Sequence, residues 1–184
     1  MITKQLFIFV VGTILIVWVS IPSLKNTKTH GFYRFFAWEL ILILFVINMR
    51  YWFIDPVGAG QIIAWALLVI SLVLVIQAVQ HFRKRGRIDR DRDDPSLVGI
   101  EKTTELVTSG VYHYIRHPFY CSLLCLAWGI FFKHITWLSI ALVITASFYL
   151  YLTAKKEEQE NIEYFGEDYL EYMQNTKMFI PYVF

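Results

Sequence analysis

Charge is scarce in this chain. Asp, Glu, Lys and Arg make up 17% of its 184 residues, against about 25% in soluble domains. Hydrophobic residues reach 57%, more apolar surface than a soluble fold of this length can hide, so a bilayer is the natural solvent. Cysteine is nearly absent. Cys121 and Cys125 stand at i, i+4 on one helical face. Two such thiols build no disulfide framework, and without a His at ligand spacing they form no metal site. Their role is packing. The chain has no internal repeat, no low-complexity tract and no Gly-rich nucleotide loop. Nucleic acid is a poor partner, because Asp89, Asp91, Asp93 and Asp94 offset the neighbouring arginines and the net charge is only +2.

What is present is a series of apolar runs. Residues 5–24 and 57–80 carry no charge, and 35–54 carries only Glu39 and Arg50. Residues 118–132 form a shorter run and 135–154 a full one. A span needs about 20 such residues. The pattern predicts an all-α integral membrane protein with about five transmembrane helices, the last two paired as a hairpin. The fourth segment is short enough to be re-entrant. The first run is long and lacks a small-residue cleavage site, so it reads as a helix and not as a leader. One domain over 1–184 is expected: three helices in 1–80, a connector in 81–117, the hairpin in 118–154 and a tail helix in 155–184.

Lys and Arg set the expected orientation. The 25–34 loop, the 81–117 connector and the tail together hold fourteen of them, while the other side holds Lys4, Arg50 and Lys133. The positive-inside rule then places the connector and the C-terminus in the cytoplasm and the N-terminus outside.

Polar chemistry collects in two places, at the two feet of the hairpin. One is "ELVTSGVYHYIRHP" in the connector; the other is the tail, with Glu157 and Glu158 just past the last apolar run. Gly110 permits a turn. Pro118 suits the first turn of a helix, which leaves Arg116 and His117 at its N-terminal mouth, where orphan N–H groups favour an anion. An Arg facing two carboxylates has two readings here: a site for a zwitterionic ligand, or a salt bridge that pins the hairpin's feet. Two residues are out of keeping with the apolar runs around them. Glu39, one turn inside the second helix, calls for a partner such as Arg34 or a loop Arg. Gln77 and Gln80 are expected to hydrogen-bond between helices.

The motif "SGVYHYIRHPFY", a hairpin, then "EE" and "FGEDYLEY…FIP" resembles the isoprenylcysteine carboxyl methyltransferase family, which belongs with the membrane phospholipid methyltransferases. The resemblance covers residues 97–184. It implies S-adenosylmethionine as cofactor, held by the connector (Leu106, Val107, Gly110, Tyr112), the mouth (His117, Tyr120) and the acidic pair Glu157 and Glu158. It implies no metal. Tyr169 and Tyr172 belong to the tail motif; read from its own residues, the tail is an amphipathic helix that either lies against the membrane face or folds back as a lid over the pocket. Cys121 departs from the small residue usual there. The implied catalytic pair is Arg116, to aim a carboxylate acceptor, and Glu158, to take a proton from an amine one. The expected substrate is a lipid or prenylated small molecule or peptide, first of all a prenylcysteine-like carboxylate. The alternatives are phospholipid amine methylation and a scaffold that keeps the fold without turnover. The charge asymmetry yields a test: a cysteine placed at position 88 should react with an impermeant maleimide only from the cytoplasmic side of vesicles, and labelling of intact cells from outside would invert the orientation.

Overall fold

The structure, a computed structural model, describes residues 2–85 and 105–181. Six α-helices follow one another: α1 (Ile2–Leu24), α2 (His30–Asn48), α3 (Ala59–Arg85), α4 (Pro118–Phe131), α5 (Trp137–Phe165) and α6 (Glu167–Asn175). Among the described residues there is no strand. Among the described residues, four helices are long and apolar enough to cross a membrane. The exceptions are α6 and α4, whose 14 residues rise about 21 Å, short of a core about 30 Å thick. The fold is therefore the expected all-α membrane architecture, with four full-length candidate spans in place of five. Most of the basic connector stretch, residues 86–104, lies outside the described residues.

Two boundaries differ from the sequence reading. The helix assigned to the hairpin's second arm does not stop at Ala154; α5 continues to Phe165, because Lys155 to Tyr164 keep good helix formers and no glycine interrupts them. It ends at Gly166, whose φ of 62° lies in the left-handed region that favours glycine. The start of α5 is fixed by a capping box: Thr136 Oγ1 accepts from Ser139 N at 3.1 Å and Ser139 Oγ accepts from Thr136 N at 2.7 Å. At α2, Thr29 makes no side-chain cap. Glu160 supplies one from α5, accepting from His30 N at 2.8 Å and meeting His30 Nδ1 at 2.5 Å.

The helices form an open row. α1 packs on α2, α2 on α5, α5 on α4 and α4 on α3. Alanines 37, 127, 146 and 154 are fully buried at these seams beside Ile41, Leu44, Ile130, Val143 and Leu150. Lipid is as apolar as leucine, so association here rests on close van der Waals packing, which small residues permit. Glu39 corrects an expectation. Because α2 starts at His30, Glu39 sits at mid-helix, and its Oε2 accepts from Thr13 of α1 at 3.0 Å; Arg34 instead lies over the Trp38 ring at 4.9 Å. Gln77 and Gln80 are exposed and make no interhelical hydrogen bond among the described residues, since they face away from the seam with α4.

At the end of the row remote from the polar motifs, the α4–α5 turn is riveted in place. Lys133 is 5% exposed. Its Nζ donates to Gln61 Oε1 at 2.9 Å and lies 3.5 Å from the centre of the Trp65 ring. Burial holds this ammonium below its ordinary pKa. Beside it, His134 stacks on Tyr51 at 3.6 Å, and Asn48 Nδ2 donates to the carbonyls of Ile130 and His134. Lys133→Met keeps an apolar stem of similar length but removes the charge. The melting temperature in detergent should then fall, in proportion to a loss of about 2 kcal/mol from the desolvated cation–π contact; an unchanged melt would mean that the cage holds nothing together.

Candidate functional site

The site is built where the tail folds back on the connector. Gly110 opens a short 3-10 turn, Gly110–His113. Its φ is 66°, and a Cβ there would lie 2.2 Å from the His81 ring, so glycine is required both by the backbone and by the close approach of α3. Val107 and Tyr112 are buried against Ala78 of α3. The chain then runs to His117, the N-cap residue of α4, with Pro118 at the first helical position as expected.

The tail pairs with this segment. Beyond α6, Ile115 and Lys177 form a parallel bridge. Arg116 N donates to Lys177 O at 2.8 Å, and His117 N to Met178 O at 3.2 Å. The buried Tyr172 hydroxyl donates to Tyr112 O at 2.6 Å. Burial raises the phenol pKa of Tyr172 and Tyr169 above the usual range, opposed at Tyr172 by the Arg116 charge. Both therefore stay protonated donors at any working pH.

Arg116 is the centre of the junction. Its Nε donates to Glu158 Oε1 at 2.9 Å and its Nη2 lies 2.8 Å from the same oxygen. Its Nη1 donates to Met173 O at 3.2 Å and also to Thr176 O. The side chains of Arg116 and Glu158 are 9% and 3% exposed, and Lys155 Nζ meets the other Glu158 oxygen at 3.1 Å. Of the two readings the sequence left for Arg116, the salt bridge is the arrangement present. His117, 3% exposed, stacks on Tyr120 at 5.5 Å, with Nδ1 3.7 Å from Glu157 and Nε2 3.6 Å from Glu158. Its Nε2 is buried without a hydrogen bond among the described residues.

Two cavities flank this junction. The inner one, about 40 Å³, is lined by Tyr112, Arg116, His117, Phe119, Tyr120 and Glu157. The outer cleft, about 430 Å³, lies between Leu106, Thr108 and His113 of the connector and one face of α6. Leu106, Tyr112, His117, Tyr120 and Glu157 thus line cavities. Val107 and Gly110 support the turn between them, and Glu158 is held in the bridge. Sequence reasoning missed Asp168, Glu171, Asn175 and Thr176, which line the outer cleft with Tyr172. Their signal was legible: positions 168, 171, 172, 175 and 176 form one helical stripe.

A phospholipid methyltransferase family matches residues 59–168, from the start of α3 into α6. The chain belongs to that family. It is 25% identical over 141 residues, 73% of its length, to a methanethiol S-methyltransferase of Pseudomonas deceptionensis, covering 51% of that protein. It is 32% identical over 126 residues, 66% of its length, to a protein-S-isoprenylcysteine O-methyltransferase of Xenopus laevis, covering 42% of it. Over 119 residues, 64% of its length, it is 32% identical to methanethiol S-methyltransferase 1 of Bradyrhizobium diazoefficiens, covering 39% of that chain. The chain therefore spans about half the length, or less, of the curated relatives it matches. No solved structure matches it. The matched region contains the hairpin, the lining of the inner chamber and the acidic pair, while α1, α2 and most of the α6 wall of the outer cleft lie outside it.

Arg116→Ala would strand a buried carboxylate, and breaking such a pair costs about 3–5 kcal/mol. Thermal melting without ligand should show a loss near the lower end, because Lys155 and His117 remain beside Glu158. Arg116→Lys should lose less, keeping the charge but not the planar fork. Equal melting of all three proteins would remove the bridge from any structural role.

Proposed function

We propose that this family member transfers a methyl group from S-adenosylmethionine to a lipophilic acceptor presented from the bilayer, at the cytoplasmic face. The observation that carries the reading is the convergence of His117, Tyr120 and Glu157 on one chamber beside the buried Arg116–Glu158 bridge. The residues fit the cofactor. The outer cleft falls in the size range of small-ligand sites, about 300–1,000 Å³. Asp168 and Glu171 offer acceptors there, suited to ribose hydroxyls. Glu157 and the faces of Tyr112 and Tyr120 suit an amino group and a sulfonium, and His117 Nε2, 3.6 Å from Glu158 and short of a hydrogen bond to it, offers a further polar group.

When bound, the cofactor supplies an electrophilic methyl on its sulfonium. The chain's own contribution is to position and to dry the reactants. Tyr112, His117 and Tyr120 wall the chamber with aromatic surface. Glu157 stands 25% exposed beside His117, close enough to orient a cation. The backbone of Leu106 to Gly110 and the acidic stripe of α6 are the proposed cradle for the nucleoside.

The first acceptor we propose is the carboxylate of a prenylcysteine-like lipid, on the strength of the tail motif and the likeness to the isoprenylcysteine enzyme. One observation favours a second reading. Four hydrogen-bond contacts from Arg116 already go to Glu158, Met173 and Thr176, which leaves little of its fork for an incoming carboxylate. A thiol or an amine of a phospholipid headgroup needs no such anchor, and two of the relatives bear the name of a thiol methyltransferase.

Labelled methyl transfer to a prenylcysteine mimic, an alkanethiol and an aminophospholipid separates these readings. A carboxylate has no proton to lose near neutrality, so its rate should stay nearly flat from about pH 6 to 9. A thiol, with a pKa about 8.5, should speed up about tenfold per unit below that value. Transfer to none of them, together with no binding of the donor, would leave a scaffold.

A further inference from the structure

The end of the molecule remote from the site is built inside out. Lys133 points inward, onto Gln61 and the Trp65 ring. The apolar side chains beside it point outward. Phe53 and Val57 are each 79% exposed and Trp137 is 88% exposed, and Ile54, Ile135 and Leu138 are exposed as well. In water both choices are wrong: a lysine at a turn keeps its ammonium in solvent, and a contiguous apolar patch marks a surface that something else covers. The two segments form one patch. Tyr51 stacks on His134 at 3.6 Å, and the Phe53 ring lies 6.1 Å from that of Trp65. Across residues 51–61 and 132–138 the one exposed charge is Asp55.

Helix lengths say where this patch stands. α4 starts level with Glu158, because Arg116 and His117 at its mouth lie 2.8 and 3.6 Å from that carboxylate. From there α4 rises about 21 Å, while α5 runs back about 32 Å to Trp137. α4 thus stops about 11 Å below the start of α5, and residues 132–136 climb the difference. With the polar end at one headgroup level, Phe131 and Lys133 lie within a hydrocarbon core about 30 Å thick. Trp137 reaches its far boundary, where tryptophan is favoured. The patch also runs without a break into the exposed sides of two spans, at Ile62 and Ile63 of α3 and at Leu138 and Ile144 of α5. A protein–protein interface would be rimmed by polar residues, and this patch has no such rim along the spans.

We propose that residues 52–57 and 132–138 form a single lipid-embedded cap, whose partner is the acyl-chain and headgroup boundary of the far leaflet. α4 is then a partial span that ends in oil, and Lys133 is a cation inside the membrane. A bare ammonium is costly there. The cage takes the place of water: Gln61 Oε1 accepts at 2.9 Å, Trp52 O at 3.5 Å, and the Trp65 ring covers the charge at 3.5 Å. The outward shell of Phe53, Val57 and Trp137 meets the lipid. Asp55, between Ile54 and Pro56, is the group that reaches the headgroups. The proposal does not depend on which acceptor the site methylates, or on whether it methylates at all.

The test uses the full chain in phosphatidylcholine vesicles. A nitrobenzoxadiazole label is placed on Val57→Cys and, in a second protein, on Trp137→Cys. Both side chains point outward, so melting in detergent should match wild type. The unsubstituted chain, labelled in parallel, corrects for Cys121 and Cys125. Lys28→Cys, at an exposed position of the α1–α2 loop, is the water-phase reference. Lipid with a nitroxide on its acyl chain should quench both cap labels. Iodide, present on both sides of the membrane, should quench them at least about threefold less than the label at position 28, because water is excluded from the hydrocarbon. Iodide quenching equal to that at position 28 would put the turn in water and overturn the cap. Protection of both labels from both quenchers would mean that a second copy or another protein covers the patch, and would overturn it equally.

Discussion

Everything at the polar end of this protein depends on where one guanidinium goes. Arg116 links the mouth of α4, the Glu158 carboxylate of α5 and the carbonyls at the end of α6. Three segments distant in sequence therefore share one set of hydrogen bonds. A planar cation with five donors can do this and an ammonium cannot. Arg116 is the main partner that lets Glu158 stay charged while almost fully buried, with Lys155 and His117 beside it. The tail is tied down a second time by apolar burial: α6 offers the core only Tyr169 and Tyr172 from nine residues, but Met178 and Phe179 just beyond the pairing with Ile115 are buried in the main hydrophobic cluster. The bridge thus turns a helical hairpin into a walled pocket.

Much of this was legible in the sequence, for definite physical reasons. Long uncharged runs must be helices in lipid, because no other local structure satisfies the backbone there. Pro118 marked the start of α4, since a missing N–H is harmless only in the first turn. Gly110 marked a turn, and its φ is positive. The motif residues His117, Tyr120 and Glu157 fell around one chamber because the feet of an antiparallel hairpin must meet.

The rest needed coordinates. Glu39 was expected to find a nearby arginine and instead found Thr13, because the true start of α2 put it at mid-helix, facing α1. The two glutamines of α3 were expected at a seam, yet the helical phase that turns Ala64, Ser71 and Ala78 inward turns them out. The outer cleft went unseen because its lining comes from the polar side of α6, and a polar stripe on a short amphipathic helix looks like a solvated face until something is found opposite it. The Lys133 cage was equally hidden: nothing in "FFKHITW" says that the lysine turns inward between Trp65 of α3 and Trp52 of the α2–α3 connection.

The unbroken length of α5 has a consequence of its own. One continuous helix carries Trp137 at the far end and Glu158 at the site, so the two are about 32 Å apart along the axis. That is close to the thickness of the hydrocarbon core, about 30 Å. The helix therefore works as a ruler, with the membrane as the thing measured. In a bilayer of matching thickness the carboxylates stand level with the lipid headgroups. In a thicker one they sink into oil unless the ruler straightens its tilt, and in a thinner one they rise clear of any nucleophile that stays in the lipid. The level at which Glu158 meets the lipid headgroups thus becomes partly a property of the host membrane, read through the number of residues between a tryptophan and a glutamate.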